Sequence, residues 1–176
     1  MDNQTLLNTL AVFRQLESIN GMSLKFTYAC VKNVTAMEKV EKTLQKLEAV
    51  KLPGQVAMEE AKRVILEEYA KKDDTGKSIT IVNAFNQPEY DIADWDAFQA
   101  RMDEFKEEYS DLLEQIDQRH EDMIELMTEE VEDFEPYLVD VQYLPIDDKG
   151  GCRLSPVQLR HVLPFLSGDL NDLPDV

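Results

Sequence analysis

Apolar residues recur at steps of four and three through the second half of the chain, and this spacing constrains the fold most. The series comprises Phe98, Met102, Phe105, Tyr109, Leu112, Ile116, Met123 and Met127, the eight residues that we call the seam. Heptad spacing of this kind places one narrow apolar stripe on a helix, where it packs against a second helix. We therefore expect an acidic helical arm over 94–135. The pattern falters around Arg119 and His120, which leaves the continuity of that helix open.

The first half of the chain offers the partner helix. A second apolar stripe comprises Leu24, Tyr28, Val31, Val34, Met37, Val40, Leu44 and Leu47. Pro53 and Gly54 interrupt this pattern, because proline removes a backbone donor and clashes with the preceding turn. Helical spacing resumes beyond them, so the predicted arm spans 23–72. A short leading helix, capped by Asp2 or Asn3, precedes it.

A β-hairpin is predicted between the two arms. Residues 78–84 are rich in β-branched side chains, and Pro88 follows in a turn, which predicts a hairpin over 77–93. Four aromatic residues lie nearby in sequence: Phe85, Tyr90, Trp95 and Phe98. We interpret them as a small core that holds the hairpin, and an exposed aromatic contact patch is the alternative.

The sequence after the acidic arm predicts a short β segment and a small terminal helix. A β segment with a strand at 137–144, followed by a terminal helix that Ser155 caps, is expected over 136–166, with a frayed tail over 167–176. The predicted fold is thus mainly α: an elongated, antiparallel, coiled-coil-like helical hairpin with the β-hairpin at its tip, forming one domain over 1–176. A compact bundle, folded back at Pro53 and near His120, is the rival.

Charge is divided unevenly along the chain. The net charge is −18, yet residues 1–72 carry 11 basic and 9 acidic side chains, whereas 103–135 carries 15 acids. We call the following carboxylates the acidic face: Glu107, Glu108, Asp111, Glu114, Glu121, Asp122, Glu125, Glu129, Glu130, Glu132 and Asp133. Direct binding to nucleic acid or to an anionic membrane is not expected, because such binding needs clustered bases. The acidic face is then a solvated exterior, a nucleic-acid mimic, or a docking face for a basic partner.

The sequence contains no recognisable catalytic, cofactor-binding or metal site. Asp117 and His120 form only half of the carboxylate–histidine pattern of di-iron bundles. Cys30 is interpreted as a small buried core residue. A cysteine nucleophile needs a neighbouring base, and the sequence indicates none for either Cys30 or Cys152. The N-terminus lacks the pattern of a signal peptide and no stretch has the length of a membrane span, so we expect reduced cysteines and synthesis in the cytoplasm.

Three segments carry a resemblance to a known group of proteins. They read LEEYAKKDDTGK at 66–77, DWDAFQARMDEFKEEYSDLLEQ at 94–115 and LSPVQLRHVLPFL at 154–166. In order and pattern they resemble small acidic helical proteins of unknown function encoded by tailed bacteriophages. The resemblance spans nearly the whole chain and includes no catalytic motif. It implies synthesis in the cytoplasm of a bacterial host, with association with the virion as a further option.

We expect a non-enzymatic protein that acts by protein–protein interaction, in a structural or assembly role, through the seam. The alternative is an acidic nucleic-acid mimic that inhibits a host polymerase, nuclease or defence enzyme through the acidic face. The expected partner is accordingly a virion component, a second copy of the chain in a homo-oligomer, or a basic host enzyme. The two alternatives differ in salt dependence, because exposed charges are screened and an apolar seam is not.

Overall fold

The structure is a computed structural model that describes residues 1–132, 134–147 and 151–168. Its α-helices are α1 (Asn3–Glu17), α2 (Leu24–Ala49), α3 (Gln55–Tyr69), α4 (Trp95–Glu108), α5 (Ser110–Thr128) and α6 (Pro156–Val162). Its strands are β1 (Thr80–Val82), β2 (Pro88–Tyr90), β3 (Val139–Asp140) and β4 (Leu166–Ser167). The predicted mainly α class is confirmed. The chain divides into two compact units: unit 1 comprises Met1–Ala49 and Met123–Val176, and unit 2 comprises Val50–Asp122.

Unit 1 is built on the packing of α1 against α2. Asp2 caps α1, and its carboxylate accepts a hydrogen bond from the backbone N–H of Thr5 at 2.6 Å. The largest fully buried side chains are mostly apolar and include Leu6, Leu10, Phe13, Leu16, Phe26, Met37, Val162 and Phe165. The rings of Phe13 and Phe165 have centroids 4.8 Å apart, so the segment after α6 completes this core.

The short parallel sheet of unit 1 differs from the predicted strand over 137–144. β3 pairs with β4 through two residue pairs only, Val139 with Leu166 and Asp140 with Ser167. The Asp140 carboxylate then accepts a hydrogen bond from the backbone N–H of Gln142 at 3.0 Å, and Val141–Tyr143 forms a 3₁₀ helix. The side chain of Asp140 therefore turns the chain away from the sheet after two residues.

The predicted terminal helix is present as α6, which covers Pro156–Val162 and ends before residue 166, the expected limit of the segment. Ser155 caps α6 and shares a reciprocal capping box with Gln158, with Pro156 at the first helical position. The predicted frayed tail over 167–176 is wrong at its first residue, because Ser167 belongs to β4. The rest of that prediction, from residue 169 onward, lies outside the described residues.

Unit 2 pairs α3 with α4 in antiparallel fashion. The rings of Tyr69, at the end of α3, and Phe98, near the start of α4, have centroids 6.0 Å apart, whereas Gly54, before α3, faces Leu112 of α5. The predicted β-hairpin is present, with β1 and β2 paired antiparallel. The Pro53–Gly54 turn separates α2 from α3, with Gly54 in the left-handed region at φ 86°.

The acidic helical arm expected over 94–135 differs from the observed helices in two respects. Tyr109 leaves helical geometry at φ −108° and ψ 18°, which divides the arm into α4 and α5, although α5 runs unbroken through His120. The helix ends at Thr128 rather than at 135. Asn3 explains the end, because its side-chain amide donates to the Leu126 carbonyl at 2.8 Å and its backbone N–H donates to the Glu129 carbonyl at 3.0 Å. The N-terminus thus takes the place of a further helical turn.

Candidate functional site

The seam divides between the two units. Phe98 and Phe105 are buried in the core of unit 2, against Met58 and Ile65 of α3. The next members are partly buried against the same core: Met102, Tyr109, Leu112 and Ile116. The last two, Met123 and Met127, line a cleft of about 380 Å³ in unit 1. In unit 2 the seam therefore serves packing within the chain.

The acidic face is exposed wherever the structure describes it. Ten of its members fall in the exposed class, and Asp133 lies outside the described residues. The two bases on α4 pair with other acids, Arg101 with Glu104 and Lys106 with Asp103. Exposure agrees with a solvated exterior and equally with a face that binds a basic partner.

The groups considered for catalysis are scattered. Asp117 and His120 are both exposed on α5, and across the described part of the chain no three His, Cys, Asp or Glu side chains are grouped so as to hold a metal ion. Cys30 is buried in unit 1, and desolvation raises the pKa of its thiol to about 12. A thiol in that environment stays protonated at neutral pH, so Cys30 is core filler as predicted.

A surface that the sequence analysis did not single out lies on unit 1. Its cleft, of about 530 Å³, lies between the start of α2 and the segment around β3. We call its lining the tyrosine cleft: Leu24, Lys25, Tyr28, Tyr137, Leu138, Asp140 and Tyr143. Leu24 is 84% exposed and Leu138 is 52% exposed, although both are aliphatic. Clustered exposed apolar side chains of this kind mark interaction surfaces more often than isolated ones do.

Asn33 fixes the shape of the tyrosine cleft. Its side chain is buried, its Nδ2 donates to the Tyr137 carbonyl at 2.9 Å, and its Oδ1 accepts from the Tyr137 backbone N–H at 2.8 Å. The side-chain amide thereby satisfies both backbone groups of Tyr137, as a neighbouring strand would. The Tyr137 ring then packs edge-to-face on Tyr28, with centroids 5.6 Å apart. Both rings are held in place while half of each stays open to solvent.

Two lysines border the aromatic rings of the cleft. The Lys25 Nζ lies 2.6 Å from the Tyr143 hydroxyl and 4.3 Å from the centroid of that ring. This hydrogen bond raises the pKa of Lys25 above its ordinary value, so the ammonium stays charged. The Lys32 Nζ lies 5.5 Å from the centroid of the Tyr28 ring. The cleft thus combines aliphatic and aromatic side chains with two bordering lysines and one carboxylate, that of Asp140.

The aromatic cluster near the hairpin is divided between core and surface. Phe98 is buried, whereas Trp95, whose ring contacts Phe98 edge-to-face at 5.6 Å, is largely exposed. Phe85 is 84% exposed at the hairpin turn, where the Asn83 carboxamide oxygen accepts the backbone N–H of Phe85. The small-core interpretation therefore holds for Phe98 and not for Phe85.

Comparison with known proteins gives no relative: no family model, no curated protein and no solved structure matches this chain. Among the helices of the described ranges, none combines the length with the apolar composition that a bilayer crossing requires.

Proposed function

We propose that this chain is a non-enzymatic protein of phage type that acts by protein–protein interaction, in a structural or assembly role, and that the tyrosine cleft is its contact surface. One observation carries the proposal. Tyr28 and Tyr137 are half exposed yet fixed by the buried Asn33 and by their mutual ring contact. Fixed, amphipathic aromatic side chains lose little conformational entropy on binding, and for this reason tyrosine is enriched at protein interfaces.

The experiment is a quantitative pull-down from bacterial lysate, with and without phage infection, using three tagged versions of the full chain. The versions are the wild type, a Tyr28→Ser/Tyr137→Ser variant and a Val157→Ser control, which removes an exposed apolar side chain of α6. We expect a defined set of proteins to be retained by the wild type and the control and lost with the double variant. Equal retention by all three versions would refute the cleft as contact surface.

A second function is supported by the spacing of carboxylates on α5. Asp111, Glu114, Asp117, Glu121, Asp122 and Glu125 are all exposed on this helix. At about 1.5 Å of rise per residue they supply one charge per about 4 Å of axis. One strand of B-DNA supplies one per about 3.4 Å. An acidic inhibitor that occupies a basic channel of a host enzyme is therefore the alternative, and binding that vanishes at moderate salt while surviving Tyr28→Ser/Tyr137→Ser would favour it.

The elongated, coiled-coil-like hairpin and the single domain over 1–176 stay part of this proposal. Small-angle X-ray scattering tests the first through the maximum dimension of the particle in solution. A single cooperative unfolding transition, coincident by circular dichroism and tryptophan fluorescence, tests the second.

A further inference from the structure

We propose that the partner of the tyrosine cleft is an acidic amphipathic helix, which lies along the exposed face of α2. This inference rests on the proposed function, because it names the chemistry of the partner for the same surface. The observation behind it is a row of five lysines on α2, which we call the lysine row: Lys25, Lys32, Lys39, Lys42 and Lys46.

The lysine row and the apolar side chains of the cleft share one face. At about 100° per residue, Leu24, Tyr28 and Val31 fall within the same arc of about 120° as all five lysines. Every residue of α2 in this arc is exposed, and none is acidic. Thr35, Thr43 and Ala49 complete the arc, and the two threonine hydroxyls donate to carbonyls of their own helix, Thr35 to Val31 and Thr43 to Lys39. The threonines need no partner for their hydroxyls, so the face combines apolar contact area with positive charge.

The acids of α2 do not neutralise this face. Glu38 and Glu41 both pair with Arg14 of α1, at 3.1 Å and 2.7 Å. Glu48, the third, falls on the opposite side of the helix.

Three carboxylates of the neighbouring segment border the face: Asp140 lies beside Lys25 in the tyrosine cleft, and Glu132 and Glu135 share a second cleft with Lys39. Five lysines against these three acids leave the face with a net positive charge, although the chain as a whole carries −18.

The difference between the positive charge of this face and the negative charge of the whole chain favours a short acidic helix over a larger polyanion as the partner. A long nucleic acid or an anionic membrane meets the field of the whole protein, which is strongly negative. A single helix meets only the face that it covers, because charges beyond about 8 Å are largely screened at physiological salt. The lysine row runs from Lys25 to Lys46, a separation of 21 residue steps or about 32 Å along the axis, which matches a helix of similar length. Leucine or aromatic side chains at steps of three and four would then contact Leu24, Tyr28 and Val31, with glutamates or aspartates opposite the lysines.

The test is a display selection of random 18-residue peptides against the immobilised full chain, with counter-selection against the Tyr28→Ser/Tyr137→Ser variant. We expect the enriched peptides to be acidic, with apolar residues at helical spacing. For an enriched peptide, measured by fluorescence anisotropy, Lys32→Glu/Lys39→Glu is expected to weaken binding about tenfold. The matched reversal Lys62→Glu on α3 is expected to change it less than about twofold, because its exposed charge lies outside this face.

Three other outcomes would contradict the acidic-helix inference. Enriched peptides that depend on Tyr28 and Tyr137 but are neutral or basic would refute the acidic helix and leave the proposed function standing. Selection that yields no cleft-dependent peptide would refute the acidic-helix inference, whereas the proposed function is decided separately by the lysate pull-down. A wild-type chain that is dimeric by light scattering, and monomeric after Tyr28→Ser, would show that a second copy occupies the face and would overturn the inference.

Discussion

The helix α2 and the α4–α5 arm carry apolar residues at the same spacing, yet they use them differently. In unit 2, Phe98 and Phe105 are buried against α3, and the outward side of the arm is acidic. In unit 1, Phe26 and Met37 of α2 are buried, while Leu24 and Tyr28 on the same helix stay exposed beside lysines. Heptad spacing therefore identifies a helix that packs on something, but the partner can be the chain's own core or another molecule. The sharpest tests remove one residue from each face.

The largest expected effect is on the buried side of α4. Phe105→Ala removes a core ring that also stacks on Tyr109, at a centroid distance of 4.8 Å. We expect a loss of about 3–5 kcal/mol in the free energy of unfolding, because a cavity replaces the ring. Urea denaturation followed by Trp95 fluorescence measures it. A loss below about 1 kcal/mol would mean that Phe105 is not a core residue.

The next effect concerns the seam beyond the helix interruption. Ile116→Asp places a carboxylate where a partly buried side chain packs against the core of unit 2. We expect a loss of about 2 kcal/mol, smaller than for full burial because water still reaches the site. Ile116→Val serves as the control. A circular dichroism melt that Ile116→Asp leaves unchanged would contradict the packing of α5.

A smaller loss is expected from Asn33→Ala in unit 1. This change removes both hydrogen bonds to the Tyr137 backbone, and we expect it to cost about 1–2 kcal/mol, since water can replace part of the pairing. It is also expected to release the Tyr137 ring from Tyr28, which two-dimensional NMR of the tyrosine rings detects. Retention of the ring contacts between Tyr28 and Tyr137 would show that Asn33 does not position the cleft.

The ion pair between α1 and α2 gives a pH-dependent effect. Hydrogen bonding to Arg14 holds the pKa of Glu41 below its ordinary value of 4.5. The contribution of the pair is therefore full above about pH 5 and is lost as the pH falls through the lowered pKa. Arg14→Met is expected to cost less than about 1 kcal/mol at pH 7, because both side chains are partly exposed, and less at pH 2.5 than at pH 7. Chemical denaturation at the two pH values measures the difference, and an equal cost at both would contradict the pairing.

The smallest effect on stability is expected on the exposed side of α2. Tyr28→Ser alters a side chain that is 50% exposed, and we expect a change within about 0.5 kcal/mol. Its effect on partner retention is expected to be large. A change in unfolding free energy as large as that of Phe105→Ala would mean that Tyr28 belongs to the core, and the contrast between the two faces would fail.

Much of the fold follows from local sequence signals, and the contact surface does not. The Asp2 and Ser155 caps, the break at Pro53–Gly54 and the hairpin near Pro88 are set by residues close in sequence. The early end of α5 depends on Asn3, more than 120 positions away, and helical periodicity contains no such information.

The tyrosine cleft could not be predicted from helical periodicity either. Leu24, Tyr28 and Val31 share the four-and-three spacing of the core positions, so periodicity assigned them to the same stripe. Two signals distinguish the faces in retrospect. One is Asn33, a polar residue amid the buried apolar positions of α2, whose partner Tyr137 is identifiable only in three dimensions. The other is the lysine row, which borders the exposed stripe.

The most direct test of the account places a photo-crosslinking amino acid, benzoylphenylalanine, at one face or the other. One version carries it in place of Tyr28 on α2, and the matched version carries it in place of Glu114 on the acidic face, both positions being exposed. In lysate at physiological salt, we expect a discrete protein adduct from position 28 and none from position 114. An adduct from position 114 alone would contradict the account and would assign binding to the acidic face.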